Sequence, residues 1–361
     1  MGRPKQRRIE KKAKKSYRNP MRRTLTGRAL LLAALPALLS SGCGRGGTAA
    51  YTQRAYILSV PAQVSVYGAD PAEGKRIADA VFAEWNRISS DFSYSEPSSI
   101  TSVVNARAYG QWVRTDPEFM GLLRVSLDYY RLTGGAFDIT FAPLWPIWQD
   151  AASTHKMPSR EAIAKALANV GSEYVQADYA GNRVRFVRPV QINLGGVLRG
   201  YCFVRASQLL QEMKPVFPVE LRLGSDMMAY GGRDWTYRVA DPFDEKKVFG
   251  TFRFGGGVVL SSSGREHFVQ IEGKLFSHIL DLKTGYPLPD FSSLVVYFPG
   301  LGDENFIPSA VLAVMGREKA FALLSRMKGT AAVWIDGTGR DTLFSNSASG
   351  AAWERSKGLF K

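Results

Sequence analysis

Apolar positions recur at helical spacing in three stretches of the first half of the chain. Ile77, Val81, Trp85 and Ile88 lie four, four and three residues apart, which predicts a helix from about Pro71 with one buried face. A second helix is predicted from Asp116-Pro117, a side-chain cap followed by proline at the first helical position. Leu123, Leu127 and Tyr130 form its inward stripe, and Gly134-Gly135 ends it. The third is predicted from Ser159 to Val170, with Ile163, Leu167 and Val170 inward and Gly171 as its stop. Residues 55–67 read as a strand or hairpin arm, and residues 89–102 as a serine-rich loop leading to Asn105. Beyond residue 180 the pattern changes to short apolar runs. Strands are predicted at 183–194, 219–223, 236–240, 258–261, 268–280 (with a Glu272-Gly273 turn) and 294–298. A late helix opens at Pro308, pauses at Gly316 and continues to Met327, before a hairpin turning at residues 336–339. Helices and strands mix without strict alternation or internal repeat, so the class is α+β and not a doubly wound parallel sheet.

With 361 residues and 45% hydrophobic composition the chain can bury a large core. The formal net charge of +15 points to nucleic acid until it is located. Twelve basic residues and one glutamate lie in residues 1–42, leaving the other 319 residues near balance at +4. A basic tail without a basic groove makes nucleic acid no expected partner. The tail has the form of an export signal: Arg22-Arg23, an apolar core at 29–39 too short to span a bilayer, then small residues to Cys43. Leu39-Ser40-Ser41-Gly42-Cys43 has the form of a lipoprotein cleavage site, with leucine one place further from cysteine than usual. Lipid on Cys43 would anchor the protein to a membrane; the alternative is an ordinary signal peptide with an incidental cysteine. Arg22-Arg23-Thr24-Leu25 also fits twin-arginine export. Residues 1–20 are long and basic for such a signal, so Met21 is an expected start. The expected division is an export signal at 1–42, a lipid anchor and Gly-rich tether at 43–54, and one domain at 55–361. Cys202 is the other cysteine. It has no disulfide partner if Cys43 carries lipid, and it reads as a small core residue.

Three runs place polar groups beside glycine or proline, where backbone is open to a ligand. They are Gly134-Gly135-Ala136-Phe137-Asp138-Ile139-Thr140, Asn193-Leu194-Gly195-Gly196-Val197-Leu198-Arg199-Gly200-Tyr201, and His278-Ile279-Leu280-Asp281-Leu282-Lys283-Thr284-Gly285-Tyr286-Pro287. Gly195 and Gly196 permit backbone amides to approach an anion, and Arg199 offers a fork for phosphate oxygens. His278, at a strand end, is placed to take a proton near neutral pH; its plainer reading is a structural imidazole bonded to Asp281. Asp138 and Thr140 read as ligand contacts or as a helix cap, and Tyr94 as a stacking ring or a turn residue.

In this order the three runs resemble the FAD:protein FMN transferases, the ApbE family, over roughly residues 55–330. The resemblance implies an α+β, T-fold-like architecture of mixed or antiparallel sheets with flanking helices. It implies FAD as substrate, magnesium as cofactor, and transfer of FMN to a Ser or Thr of an acceptor protein in a membrane redox system. An exported lipoprotein facing the periplasm or cell surface is implied too. The implied catalytic residues are His278, Asp281 and Arg199. The implied flavin-nucleotide residues are Tyr94, Gly135, Phe137, Asp138, Thr140, Asn193, Gly195, Gly196, Asp226, Ser263, Gly264, Thr284 and Gly285.

The chain departs from the family pattern where Asn193, Arg199 and Val204 replace Asp, Lys and Asp. Gly224-Ser225-Asp226 stands for Gly-Gly and an acid. The two magnesium positions fall on Phe306 and Ala310, which carry no oxygen ligand, with Asp303 a candidate upstream. These departures keep a second reading open: a relative that binds FAD or FMN, or serves a redox complex, without transferring anything.

Overall fold

The uninterrupted apolar runs of the second half are strands covered on both faces. The computed structural model describes residues 50–264, 268–271, 274–277, 279–288, 291–300, 307–346 and 349–356. Its helices are α1 (Pro71–Phe92), α2 (Ile100–Arg107), α3 (Pro117–Leu132), α4 (Trp145–Thr154), α5 (Arg160–Leu167), α6 (Gly195–Met213), α7 (Ser309–Met315) and α8 (Arg317–Leu324). The strands of the first half are β1 (Ala50–Ile57), β2 (Val60–Tyr67), β3 (Val113–Arg114), β4 (Val175–Asp178) and β5 (Arg183–Phe186). Those that follow are β6 (Val219–Leu223), β7 (Asp226–Tyr230), β8 (Trp235–Asp241), β9 (Asp244–Phe254), β10 (Gly257–Ser263), β11 (Phe268–Ile271), β12 (Lys274–Ser277), β13 (Leu280–Asp281), β14 (Tyr286–Pro287), β15 (Phe291–Phe298), β16 (Ala331–Asp336), β17 (Asp341–Ser345) and β18 (Ala352–Arg355).

An eight-stranded sheet in the order β1-β2-β6-β7-β10-β15-β16-β17, antiparallel at every pairing, forms the spine. Alternation sends Met228, Val258, Leu260, Leu294, Val296 and Ala332 to one face, into the core shared with α1, α6, α7 and α8. Their neighbours Met227, Val259, Val295, Tyr297 and Val333 point to the other face. There a three-stranded sheet, β18-β9-β8, covers them with Trp235, Tyr237, Phe249 and Phe252. The α+β expectation holds.

The expected stripe of α1 is fully buried at Ile77, Val81, Trp85 and Ile88. Asp70 caps the helix, its Oδ1 accepting from the N–H groups of Ala72 and Glu73 at 2.9 Å. Trp85 Nε1 donates to the Cys202 carbonyl at 2.8 Å and packs edge-on to Phe203, which locks α1 against α6. Cys202 is a core residue, and burial pushes its thiol up.

Several expected boundaries move. β1 begins at Ala50, pairing with Tyr67, so residues 50–53 belong to the sheet and not to a tether. The loop at 89–102 shrinks, because α1 runs to Phe92 and α2 starts at Ile100. The expected strand at 183–194 ends at Phe186. On α3 the buried tyrosine is Tyr129; Tyr130 is half-buried and donates to Glu173 Oε2 at 2.8 Å. Residues 1–49, on which the expected export signal and lipidation at Cys43 fall, lie outside the described residues. No helix among the described residues is long and apolar enough to cross a membrane.

Candidate flavin-nucleotide site

The first motif grows from the end of α3. Gly134 and Gly135 hold φ of +60° and +83°, and Gly135 N–H donates to the Tyr130 carbonyl at 2.9 Å, closing the helix. Phe137 then turns inward, edge-on to Tyr129. Asp138 is buried and accepts four hydrogen bonds. Its Oδ1 takes them from Thr140 N–H and Oγ1, both at 2.7 Å, and from Ser172 Oγ at 2.6 Å. Its Oδ2 takes the fourth from Ser172 N–H at 2.8 Å. Thr140 Oγ1 accepts from Gly171 N–H at 2.7 Å. The expectation of Asp138 and Thr140 as nucleotide contacts is corrected accordingly: their polar atoms are committed to tying this loop to the Gly171-Ser172 turn. Their part is to fix Phe137.

The second motif is seated on the first, since Asn193 N–H donates to the Ile139 carbonyl at 2.7 Å. Asn193 Oδ1 accepts from Gly195 N–H at 2.8 Å and opens α6. A side chain at Gly196 would bring its Cβ within 2.9 Å of Phe137 Cε2, so glycine lets the helix start against that ring. Arg199 lies one turn on, about 6 Å along the helix, on the same side as exposed Gly195. Its Nη1 stands 3.7 Å from Oδ2 of Asp226, whose Oδ1 accepts from Ser261 N–H at 2.7 Å. Arg199 is 29% exposed and Asp226 is 4% exposed, so a buried carboxylate aims a reachable guanidinium. In the same β6–β7 turn, Ser225 Oγ is buried without a hydrogen-bond partner. Such an orphan costs about 1–3 kcal/mol unless something meets it. The positive end of α6 and a guanidinium one turn along it thus meet the β6–β7 turn, an arrangement suited to phosphate.

Tyr94 stands beside this corner. Its hydroxyl donates to Gln191 Oε1 at 3.4 Å, and the Asn105 amide bonds both the N–H and the carbonyl of Ile192 at 2.8 Å. Across the sheet, Gly264 N–H and Ser263 Oγ donate to the Ser292 carbonyl at 2.9 and 3.4 Å.

The third motif makes a tight hairpin, β13–β14. Asp281 Oδ1 accepts from Lys283 N–H and its Oδ2 from Thr284 Oγ1, and its carbonyl accepts from Gly285 N–H at 2.7 Å. Gly285 has φ of +74°, and a Cβ there would sit 2.5 Å from Ile163 Cγ2 on α5; its carbonyl accepts from Trp148 Nε1 at 2.9 Å. Asp281, Thr284 and Gly285 thus build a turn docked on α4 and α5, and this turn makes no hydrogen bond or ion pair with the Arg199 corner among the described residues. His278 lies outside the described residues.

The family model described as the ApbE family matches residues 58–334. The chain belongs to the ApbE family. It is 24% identical over 298 residues to an FAD:protein FMN transferase of Klebsiella pneumoniae, spanning 82% of this chain and 92% of that protein. It is also 24% identical over 320 residues to the FAD:protein FMN transferase of Treponema pallidum, spanning 81% and 86%. The crystal structure of the ApbE protein from Thermotoga maritima superposes with a TM-score of 0.74 at 26% identity, covering 83% of this chain and 97% of that one.

Against the ApbE pattern the structure explains one departure. Val204, where the family has a carboxylate, is 2% exposed and packed in the main core, so an acid there would be desolvated. The magnesium positions do not fit the ion. Ala310 is the second residue of α7, and the neighbouring Ser309 Oγ accepts from Ser262 Oγ at 2.9 Å. Among the described residues no group of three His, Cys, Asp or Glu could hold a metal. Asp303 and Phe306 lie outside them. Sequence reasoning passed over Gln191 and Ser225; the Gly-Ser-Asp turn was the available signal for Ser225, since a serine replaces a second glycine there.

Proposed function

We propose that this protein is an FAD:protein FMN transferase. The acceptor's Ser or Thr oxygen bonds to the FMN-side phosphorus of FAD, the pyrophosphate P–O bond breaks, and AMP leaves with the bridging oxygen. The hydroxyl proton passes to a base, for which His278 is the candidate. The observation that carries this reading is the corner where Arg199 and the start of α6 meet the β6–β7 turn. In it Arg199 neutralises charge on a phosphate and Asp226 holds the guanidinium in place. Asn193 shapes the helix start, Gly195 and Gly196 keep it open, and Tyr94 and Phe137 wall it. Phe306 and Ala310, at the family's magnesium positions, offer the ion no oxygen ligand. Export, a lipid anchor on Cys43 and an acceptor in a membrane redox system complete the proposal; they rest on the sequence of residues 21–43 and on the resemblance.

Purified protein incubated with FAD and an acceptor domain bearing a surface threonine should release AMP and leave covalent flavin fluorescence on the acceptor. Arg199→Ala should abolish both. A second reading, flavin binding without transfer, is favoured by the apolar Val204 and Ala310. Tight FAD retention without AMP release would establish it, and failure to retain FAD or FMN in equilibrium dialysis would sink both readings.

A further inference from the structure

The three-stranded sheet β3-β5-β4 presents an exposed face that the flavin corner does not use. Alternation turns Val184 and Phe186 of β5 inward, where both are fully buried, and Arg183 and Arg185 outward. In register, Arg114 of β3 lies opposite Arg183, which lies opposite Asp178 of β4; Gln176 lies opposite Arg185. The guanidinium carbons of Arg183 and Arg185 both stand over the Trp112 ring, at 5.1 and 5.0 Å from its centroid. Arg188 lies over Tyr174 at 4.5 Å. Trp112 is 38% exposed, Val187 45% and Tyr109 60%.

Charge on this face is one-sided. Asp178 pairs with Arg183 at 2.7 Å, whereas Arg185 meets the neutral amide oxygen of Gln176 and no carboxylate among the described residues. Arg107, Arg114 and Arg188 have no carboxylate partner within ion-pair distance among the described residues. Two like charges stacked on one indole repel each other at close range, and a carboxylate entering between them relieves that repulsion while filling the open donor forks. The rings supply flat apolar area around it, the composition of a protein-binding patch.

The face also lies near the flavin corner along the chain. Arg188 and Asn193 are five positions apart in the chain, so their Cα atoms lie at most about 18 Å from each other. The stretch between them is the one pinned by Asn105 and touched by Tyr94.

We infer that this arginine–tryptophan face docks an acidic, carboxylate-rich surface of the acceptor protein and delivers its hydroxyl to the flavin corner. The role as an acceptor dock rests on the transferase reading; the preference for carboxylates does not, and can be measured without turnover. The probe is a fluorescein-labelled peptide of Asp and Glu around one Thr, read by anisotropy at low salt against the full-length protein. A matched Asn/Gln peptide is the control. The acidic peptide should bind and the neutral one should not, and Arg183→Glu with Arg185→Glu should weaken binding at least tenfold. Arg114→Glu, at an exposed position, should weaken it severalfold without risk to the fold. FAD-induced quenching should be the same in all three proteins, which separates loss of docking from loss of the flavin site. Equal binding by wild type and both variants would overturn the inference. So would equal binding of the neutral peptide, or capture of phosphatidylglycerol vesicles in place of the acidic peptide.

Discussion

Ser225 and Trp353 are the side chains among the described residues with a buried polar atom left unmet, and Ser225 is the one beside Arg199. Its buried hydroxyl makes no hydrogen bond, yet it shares a turn with the Gly224 backbone that Arg199 overlies. If that hydroxyl meets a phosphate oxygen, Ser225→Ala should weaken FAD binding by about 1 kcal/mol, roughly five- to tenfold, in a fluorescence titration. The same change should leave the thermal midpoint unchanged or raised, because an orphan polar atom is removed. A lowered midpoint with unchanged FAD affinity would assign Ser225 to folding instead. Roles of this kind were only partly legible in the sequence. Cys202 could be read as a core residue from its apolar neighbours. Asp138 could not be read as a loop tie, because the Ser172 that binds it lies 34 residues on and only the fold brings it close.

α1, α3 and α6 are held together by charge as well as by their apolar faces. Arg87 of α1 donates to Glu84 Oε1 at 2.9 Å and to both oxygens of Glu118 on α3, at 2.7 and 2.9 Å. From α6, Arg205 donates to Glu84 at 2.8 Å and Tyr201 to Glu118 at 2.6 Å. The Arg87 hydrogen bond leads in lowering Glu84 from 4.5 to about 2, against the opposing effect of burial. A carboxyl depressed in the folded state stabilises above its unfolded value and loses that contribution as pH falls through its folded value. Urea midpoints should therefore hold above about pH 4.5 and decline toward pH 2. Glu84→Gln should start lower and decline less steeply over that window. A second test concerns the hairpin on α5: Gly285→Ala meets both a positive φ and Ile163, and should cost about 1–3 kcal/mol in urea unfolding. α1 was legible because its stripe is clean. α6 was not, because residues 197, 198, 200, 202, 203, 204 and 206 are all buried, leaving no polar face to set a period.

Among the described residues a large sheet is covered on one face by helices and on the other by a smaller sheet, with the proposed flavin corner at the start of α6. The ApbE resemblance was legible from motifs that make turns and helix starts, since such places tolerate few residues. Of the smaller sheet only β8 was legible, because β9 mixes lysines and acids with its aromatics and β18 is four residues long. Chelation gives a test at this level. With no fitting ligands at Ala310, FAD affinity should change less than twofold between EDTA and millimolar magnesium; a tenfold tightening by the ion would mean that other oxygens complete a site. The seal over Cys202 has a practical consequence. A thiol reagent can reach that sulfur only when α1 lifts from α6, so its labelling rate is a clock for opening of the core. Any nucleotide that binds only the closed form must slow that clock in proportion to its saturation, whether or not it is ever turned over.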